Sequence, residues 1–334
     1  MTTPARFPVT LLTGFLGSGK TSLLQAALAD PRMAKTAVII NEVGEVGLDH
    51  LLLGKLDDDA ILLKSGCLCC SLKNGFSETL QSLRNRRENG QYPPFERVIV
   101  ETTGLADPVP LLKMLLGQEP VNSWYSVRGV VTTLDTLIRL DTASSRTERI
   151  RQLALADHII LTKTDLSTAE QIQDVRAHAC EINGRAQYLD NSDSEAVMRV
   201  LLDPIRYPVV GSVFRGVEPA TRILGPLHAS ATAHEAVGTF AIYADEPLHW
   251  DRLVRFFREL AKAYGSRLLR LKGLVNIADC VQPVVVHGVE QFLFPERYLD
   301  GWPDSDHRTR LVFIAENIDP EQIDQLFKRY ALRE

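Results

Sequence analysis

From Pro8 to about Asp190 the chain alternates short runs of β-branched and aliphatic residues with longer stretches of mixed polarity. The runs are Val9 to Thr13, Ala37 to Asn41, Arg97 to Glu101, Gly129 to Thr133 and His158 to Thr162. Nearly continuous apolar runs of this length suit strands buried on both faces, and the helical stretches between them supply crossovers. The pattern therefore predicts a mostly parallel α/β layer. Each run carries polar or glycine-rich residues at its carboxyl end. Open α/β sheets bind ligands along that edge, so residues far apart in the chain are expected to converge there.

Between about Asp190 and Gly238 the periodicity fades. A short helical patch near Glu195 to Leu202 gives way to Pro204, Pro208, Gly211, Gly216, Pro219, Gly225 and Pro226, which reads as a linker. A second pattern opens with the strand Thr239 to Tyr243 and a helix whose apolar positions Trp250, Leu253, Val254, Phe257, Leu260, Ala261 and Tyr264 share one face. Strand-like stretches follow at Leu268 to Ala278, Val284 to Phe294 and Arg310 to Ala315. The last helix is opened by Asp319-Pro320-Glu321-Gln322, a capping-box pattern with Pro at the first helical position, and carries the stripe Ile323, Leu326, Phe327 and Tyr330. The expected organisation is an α/β domain over 5–190, a linker over 191–236 and a smaller α+β domain over 237–334.

A length of 334 residues suits two domains. With 45% apolar and 24% charged residues and no apolar run long enough to span a bilayer, the chain reads as a soluble globular protein that does not engage membranes. Its start, Met1 to Arg6, has no signal-like apolar stretch, so a cytoplasmic address is expected. A net charge of −5 argues against a broad nucleic-acid surface. Three of the five cysteines fall within four residues, Cys67-Leu68-Cys69-Cys70, a spacing that strains disulfide geometry and favours free thiols or metal ligands. Cys180 and Cys280 read as small packing residues.

Residues 14 to 21, Gly14-Phe15-Leu16-Gly17-Ser18-Gly19-Lys20-Thr21, match Gly-x4-Gly-Lys-Thr between a strand and a helix expected over Ser22 to Ala29. In that setting Gly14, Gly17, Ser18 and Gly19 let backbone amides wrap a β-phosphate, assisted by the first turn through Ser22. Lys20 neutralises the β and γ oxygens, and the Thr21 hydroxyl holds Mg²⁺. Glu101, at the end of a strand, takes the place of an acidic Mg²⁺-orienting residue, and Gly104 can offer its amide to a γ-phosphate. Thr162-Lys163-Thr164-Asp165 ends another strand. Asp165 can accept from both N1–H and the exocyclic amine of guanine, whereas adenine presents an acceptor at N1, so GTP and GDP are favoured over adenine nucleotides. The stem of Lys163 is expected to lie across the purine. Thr162 replaces the Asn of the common Asn-Lys-x-Asp pattern, which leaves open what scaffolds this loop.

Three soft thiolates at Cys67, Cys69 and Cys70 suit Zn²⁺ or Cu(I), and for Zn²⁺ they leave one tetrahedral position open, as a carrier requires. The acidic, Gly-punctuated segment Asn41 to Asp49 precedes them, and its Glu42 can reach either Mg²⁺ or a thiolate-bound ion. Together, Gly-Phe-Leu-Gly-Ser-Gly-Lys-Thr, Asn-Glu-Val-Gly-Glu-Val-Gly, Gly-Cys-Leu-Cys-Cys and Glu-Thr-Thr-Gly-Leu-Ala-Asp-Pro resemble the motifs of the CobW-like P-loop GTPases, relatives of the nickel-insertion GTPases of urease and hydrogenase. The resemblance covers nearly the whole chain. It implies GTP-dependent handling of Zn²⁺, with Co²⁺ as the alternative, with the cysteine triplet as metal ligand and GTP hydrolysis resetting the carrier; release to a client metalloprotein, bound through the C-terminal domain, is the expected outcome. Only scattered His228, His234 and His249 stand where many members carry a His-rich stretch, so storage of metal is not expected. No in-cis arginine finger or water-positioning Gln is identifiable, and slow intrinsic hydrolysis follows. The rival readings are a small-molecule kinase built on the same phosphate loop and a regulatory switch without metal delivery.

Overall fold

The computed structural model describes residues 6–41, 61–65, 75–138, 146–202, 237–293 and 296–332. The chain divides into two units, Met1–Arg176 with Ala186–Arg206, and Ala177–Arg185 with Tyr207–Glu334.

In the first unit the strands are β1 (Phe7–Gly14), β2 (Thr36–Asn41), β3 (Ile61–Ser65), β4 (Arg97–Glu101), β5 (Tyr125–Asp135), β6 (His158–Thr162) and β7 (Gln187–Asp190). They form one seven-stranded sheet in the order β3-β2-β4-β1-β5-β6-β7, and every pairing is parallel. Parallel neighbours require crossovers. The helices of this unit are α1 (Lys20–Leu28), α2 (Gly75–Glu88), α3 (Val109–Gly117), α4 (Val121–Trp124), α5 (Arg146–Leu155), α6 (Ala169–Asn183, shared with the second unit) and α7 (Ser194–Leu202). The apolar runs do what their pattern predicts. Val9, Leu11 and Leu12 on β1, Val98 to Val100 on β4 and Ile159 and Ile160 on β6 are all buried.

Two strands lie outside the runs anticipated from sequence: β3, and the four-residue edge strand β7, whose residues are half-buried or exposed. The patch expected at the start of the linker is α7. Its Val197, Met198, Val200 and Leu201 join Leu12, Val38, Ile99, Val131 and Ile160 in one apolar cluster, so Ser194–Leu202 packs against the parallel sheet and not as linker. Thr10 Oγ1, donating to the Leu201 carbonyl at 3.3 Å, ties the helix to β1.

The second unit holds β8 (Val237–Ala244), α8 (Trp250–Tyr264), β9 (Leu268–Val275), β10 (Val284–Val289), β11 (Phe292–Leu293), β12 (Arg297–Tyr298), β13 (Thr309–Glu316) and α9 (Pro320–Phe327), followed by a π-type turn over Lys328–Leu332. Its sheet is antiparallel in the order β11-β10-β9-β13-β8, with β12 beside β10. Phe256 and Phe257 of α8 and Ile323 and Phe327 of α9 pack with Phe240 and Phe313 of the sheet. Val284 to Leu293, the described part of the stretch expected to be strand-like through Phe294, is a hairpin turned at Glu290, where φ is +50°. Asp319 caps α9 by accepting from Glu321 N at 3.0 Å. The Gln322 side chain instead accepts from the Tyr264 hydroxyl, so it packs α9 against α8 and does not close a capping box. Among the described residues no helix is long and apolar enough to cross a membrane.

Candidate functional site

β1 ends at Gly14, and the chain turns through 15–19 into α1. Gly14, Gly17 and Gly19 all have positive φ, at 141°, 71° and 85°. Gly14 must be glycine for a steric reason as well. A Cβ there would collide with the Thr133 hydroxyl and would lie 2.5 Å from the Thr133 carbonyl oxygen. The turn closes with Ser18 N donating to Phe15 O at 3.1 Å, and Ser18 Oγ lies 2.7 Å from Thr133 Oγ1. The first amides of α1 have no intrahelical acceptor, no side chain caps them and no acidic residue occupies the first turn, which leaves the helix start receptive to an anion. Lys20 Nζ donates to Gly14 O at 2.7 Å and Phe15 O at 3.0 Å, so its ammonium is held at the loop. Ser22 is exposed on the first turn.

Parallel register carries the other candidates to the same edge. Leu12 pairs with Glu101, Gly14 with Thr133, and Asp135 with Thr162. Glu101 is 4% exposed and accepts from the Thr21 hydroxyl at 2.7 Å. This hydroxyl and carboxylate form a hard oxygen pair of the kind Mg²⁺ selects. The loop after β4 is locked to β1, since Thr102 N donates to Leu12 O at 2.9 Å and Thr102 Oγ1 to Thr13 Oγ1 at 2.8 Å. Gly104 then runs hard against the phosphate loop. A Cβ on it would stand 2.5 Å from Leu16 N and 2.7 Å from Leu16 Cα.

At the end of β6, Lys163 adopts a left-handed conformation, φ 58°, and Asp165 sits exposed in the 3₁₀ turn Thr164–Leu166. Thr162 answers the scaffolding question. Its hydroxyl donates to Ser18 O at 2.8 Å, tying the loop after β6 to the phosphate loop. Thr164 donates to Asp190 Oδ1 at 3.0 Å. Burial alone would raise the Asp190 carboxyl, but the hydrogen bonds from Ser192 and Thr164 outweigh it and hold the group below its ordinary value.

Several residues not singled out in the sequence complete the site. Asp135, 3% exposed, accepts from Lys163 Nζ at 2.5 Å and from Leu137 N at 2.8 Å. Its place at a strand end, level with Thr162, is the signal that would have found it. Asp107 receives Val109 N at 2.9 Å, helping to start α3, and pairs with Arg151 of α5 at 2.6 Å. Asp-Pro before an apolar run is itself a helix-start pattern. Gln152 Nε2 donates to Gly104 O and Ala106 O, each at 3.1 Å, and Arg149 lies over the Phe15 ring at 4.0 Å. A cavity of about 20 Å³, room for roughly one water, is lined by Phe15, Ser18, Thr133, Asp135, Arg149 and Gln152 among others.

The structure thus brings Gly14, Gly17, Ser18, Gly19, Lys20, Thr21, Glu101, Gly104, Lys163 and Asp165 to one edge of the sheet. Cys67, Cys69, Cys70 and Glu42 lie outside the described residues. Among the described residues no cluster of three His, Cys, Asp or Glu is arranged to hold a metal.

Residues 8–190 match the family model described as CobW/HypB/UreG, nucleotide-binding domain, and residues 237–331 match the cobalamin synthesis protein cobW C-terminal domain. The chain is 29% identical to the zinc chaperone YjiA of Escherichia coli (strain K12), over 96% of this chain and 97% of that protein. It is 30% identical to the zinc chaperone CobW of a Sinorhizobium species, over 93% of each. The crystal structure of Zn(II)-bound YjiA GTPase from E. coli superposes with a TM-score of 0.67 at 24% identity, covering 99% of this chain and 100% of that one, a likeness in fold.

Proposed function

Because the chain belongs to the CobW/HypB/UreG family of nucleotide-binding proteins and carries the CobW C-terminal domain, we propose that it is a GTPase that carries Zn²⁺ on Cys67, Cys69 and Cys70 and delivers it to a client metalloprotein. The observation that carries the coupling is the order of three strand ends. Asn41 at the end of β2 pairs with Ser65 at the end of β3, and Ile40 pairs with Glu101 at the end of β4. Glu42 follows Asn41 directly, and Cys67 follows Ser65 by two residues, a tether of at most ~7 Å of extended chain. Glu101 holds Thr21. The segment bearing Glu42 therefore starts from the strand next to the one that ends in the nucleotide site's carboxylate, and the segment leading to the thiols starts from the strand beyond it.

In this reading Lys20 and the amides of the phosphate loop hold the β- and γ-phosphates. Thr21 and Glu101 suit Mg²⁺, which supplies charge neutralisation at the phosphates when bound. Lys163, braced by Asp135, lies on the purine, and Asp165 reads its N1–H and amine. Zn²⁺ is the cargo. Thiolates favour it over harder ions, and the relatives named zinc chaperones support the choice over Co²⁺. The relative in Saccharomyces cerevisiae named zinc-regulated GTPase metalloprotein activator 1, 28% identical over 97% of this chain and 83% of its own length, supports both GTP as the nucleotide and a metalloprotein as the client. The C-terminal unit is the proposed client-binding part.

Linkage makes the proposal measurable: whatever factor GTP adds to Zn²⁺ affinity, Zn²⁺ adds to GTP affinity. Competition titration of Zn²⁺ against a chelating dye, with a non-hydrolysable GTP analogue, with GDP and without nucleotide, is expected to give tightest binding with the analogue. A Cys67→Ser, Cys69→Ser, Cys70→Ser variant should lose that binding while retaining nucleotide. Identical Zn²⁺ affinity in all three nucleotide states would defeat the coupling, and retention of Zn²⁺ by the variant would remove the thiols as its ligands.

A further inference from the structure

Helix α5 has no part in the functional reading so far, yet it grips both halves of the phosphate site. Arg149 stacks on Phe15 of the phosphate loop at 4.0 Å, while Arg151 pairs with Asp107 at 2.6 Å and Gln152 spans Gly104 O and Ala106 O. The helix is itself pinned to the sheet, because the Thr132 hydroxyl on β5 donates to the Gln152 carbonyl at 2.9 Å. Gln152 is 1% exposed. Both atoms its amide faces are carbonyl oxygens, so the side chain must present its nitrogen to them, and the carboxamide orientation is fixed by chemistry.

That grip sets the direction of two peptide groups. In a planar trans peptide the N–H points opposite to the C=O. Holding the Gly104 and Ala106 carbonyls toward α5 turns the amides of Leu105 and Asp107 away from it. It also holds the Gly104 backbone in its close approach to Leu16 N. A loop held at both carbonyls and at the Asp107 carboxylate has little freedom to retreat from the phosphate loop.

We propose that Gln152 is a positioning residue for GTP hydrolysis, which fixes the backbone of the 102–107 loop in the orientation that distinguishes a bound γ-phosphate from its absence. It acts through the loop, since its described bonds are to backbone carbonyls. This inference rests on the GTPase reading and extends it to a residue outside the nucleotide-binding motifs.

The test compares full-length wild type with Gln152→Glu and Gln152→Ala. The Glu side chain keeps the size but turns an oxygen onto two carbonyl oxygens, so it reverses the contact, whereas Ala deletes it. Steady-state GTP hydrolysis and the affinities for fluorescent GDP and for a fluorescent non-hydrolysable GTP analogue are read together. The expected result is a fall in kcat of at least about tenfold in both variants, with Glu the worse, loss of affinity for the analogue and GDP affinity close to wild type. Should both variants fail to fold, Asp107→Asn breaks the Arg151 anchor of the same loop and is expected to show the same selective loss. Equal weakening of GDP and analogue would reveal a merely structural glutamine and overturn the proposal, as would unchanged kcat. Wild-type protein that neither binds nor hydrolyses GTP would remove the nucleotide reading and this inference with it, a result distinct from active wild type with indifferent variants.

Discussion

Gly104→Ala adds one methyl group where the loop after β4 crosses the backbone of the phosphate loop. Its Cβ would stand 2.5 Å from Leu16 N and 2.7 Å from Leu16 Cα, against the 3.4–4 Å of an ordinary contact. Backbone atoms cannot rotate aside as the end of a side chain can, so one of the two loops must retreat by roughly an ångström. Overpacking of this kind costs about 1–3 kcal/mol. At a urea slope of about 2 kcal/mol/M, that lowers the unfolding midpoint by roughly 0.5–1.5 M. The functional cost is expected to be larger and more selective. The amides of the phosphate loop stay on α1 and β1, so GDP binding should hold close to wild type. A misplacement of about 1 Å at groups serving the transition state can cost ~100-fold in rate, and GTP turnover is expected to fall by about 10- to 100-fold. Urea titration and single-turnover hydrolysis on the same preparation decide the matter. Wild-type midpoint and turnover together would refute the close crossing, and a matching loss of GDP affinity would show that the whole phosphate loop, and not the loop after β4, had been displaced.

Asp135→Asn retains an acceptor for Leu137 N but removes the charge beside Lys163. Because Lys163 is about one-third exposed, the cost should fall at roughly 1–3 kcal/mol, below that of a fully buried pair. Guanine-nucleotide affinity measured by fluorescence should weaken by about tenfold, the equivalent of ~1.4 kcal/mol, and unchanged affinity would detach Lys163 from the base. Asp165→Asn should weaken GTP binding and improve binding of xanthosine triphosphate, which carries an oxygen where guanine has its amine; an unaltered preference would remove the guanine assignment. In the second unit, hydrogen bonding from Arg308 holds the Asp306 carboxyl below its ordinary value, so its stabilisation is present at neutral pH and lost as pH falls through the lowered pKa. Asp306→Asn should therefore destabilise by about 0.5–1 kcal/mol at pH 7, a difference from wild type that shrinks in urea titrations taken below about pH 3.9, the ordinary Asp value. A penalty independent of pH would assign the effect to packing.

What the sequence revealed and what it hid divide along a physical line. β1, β4 and β6 announced themselves because both of their faces are buried, so Val98, Ile99 and Val100 or Ile159 and Ile160 are apolar without interruption. β7 is an edge strand of four residues, Gln187–Asp190, with no fully buried position, and a pattern built on burial has nothing to register there. The hairpin at Glu290 was hidden for the opposite reason: both arms are rich in apolar residues, and the reversal is marked only by a non-glycine residue at positive φ. In the nucleotide site, the phosphate loop was legible because its chemistry lies within eight consecutive residues. Asp135 with Lys163 and Gln152 with Gly104 stand 28 and 48 positions apart, and parallel crossovers, not local pattern, bring them together. Thr162 departs visibly from the usual Asn, but its bond to Ser18 O depends on β6 and the phosphate loop lying side by side in the fold.

The same topology bears on how a nucleotide could govern thiols lying about fifty residues away in sequence. β3, β2 and β4 are consecutive in the sheet, with Ser65 beside Asn41 and Ile40 beside Glu101. Neighbouring strands are about 4.8 Å apart, so the three strand ends lie within roughly 10 Å of one another. Coupling over that span needs no chain of relayed side chains through the core. Thr21 bonded to Glu101 holds the end of β4, and on the proposed coupling a rearrangement of the residues following Glu101 would reach first the end of β2, the strand beside it, from which Glu42 departs. The loop after β4 is also the one that Gln152 and Arg151 hold. If Gln152 sets the orientation of that loop, then Gln152→Glu should reduce the factor by which a GTP analogue tightens Zn²⁺ binding, while leaving Zn²⁺ affinity without nucleotide unchanged. A variant that hydrolyses GTP poorly yet keeps the full nucleotide-dependent gain in Zn²⁺ affinity would show that the two responses leave the phosphate site by separate routes.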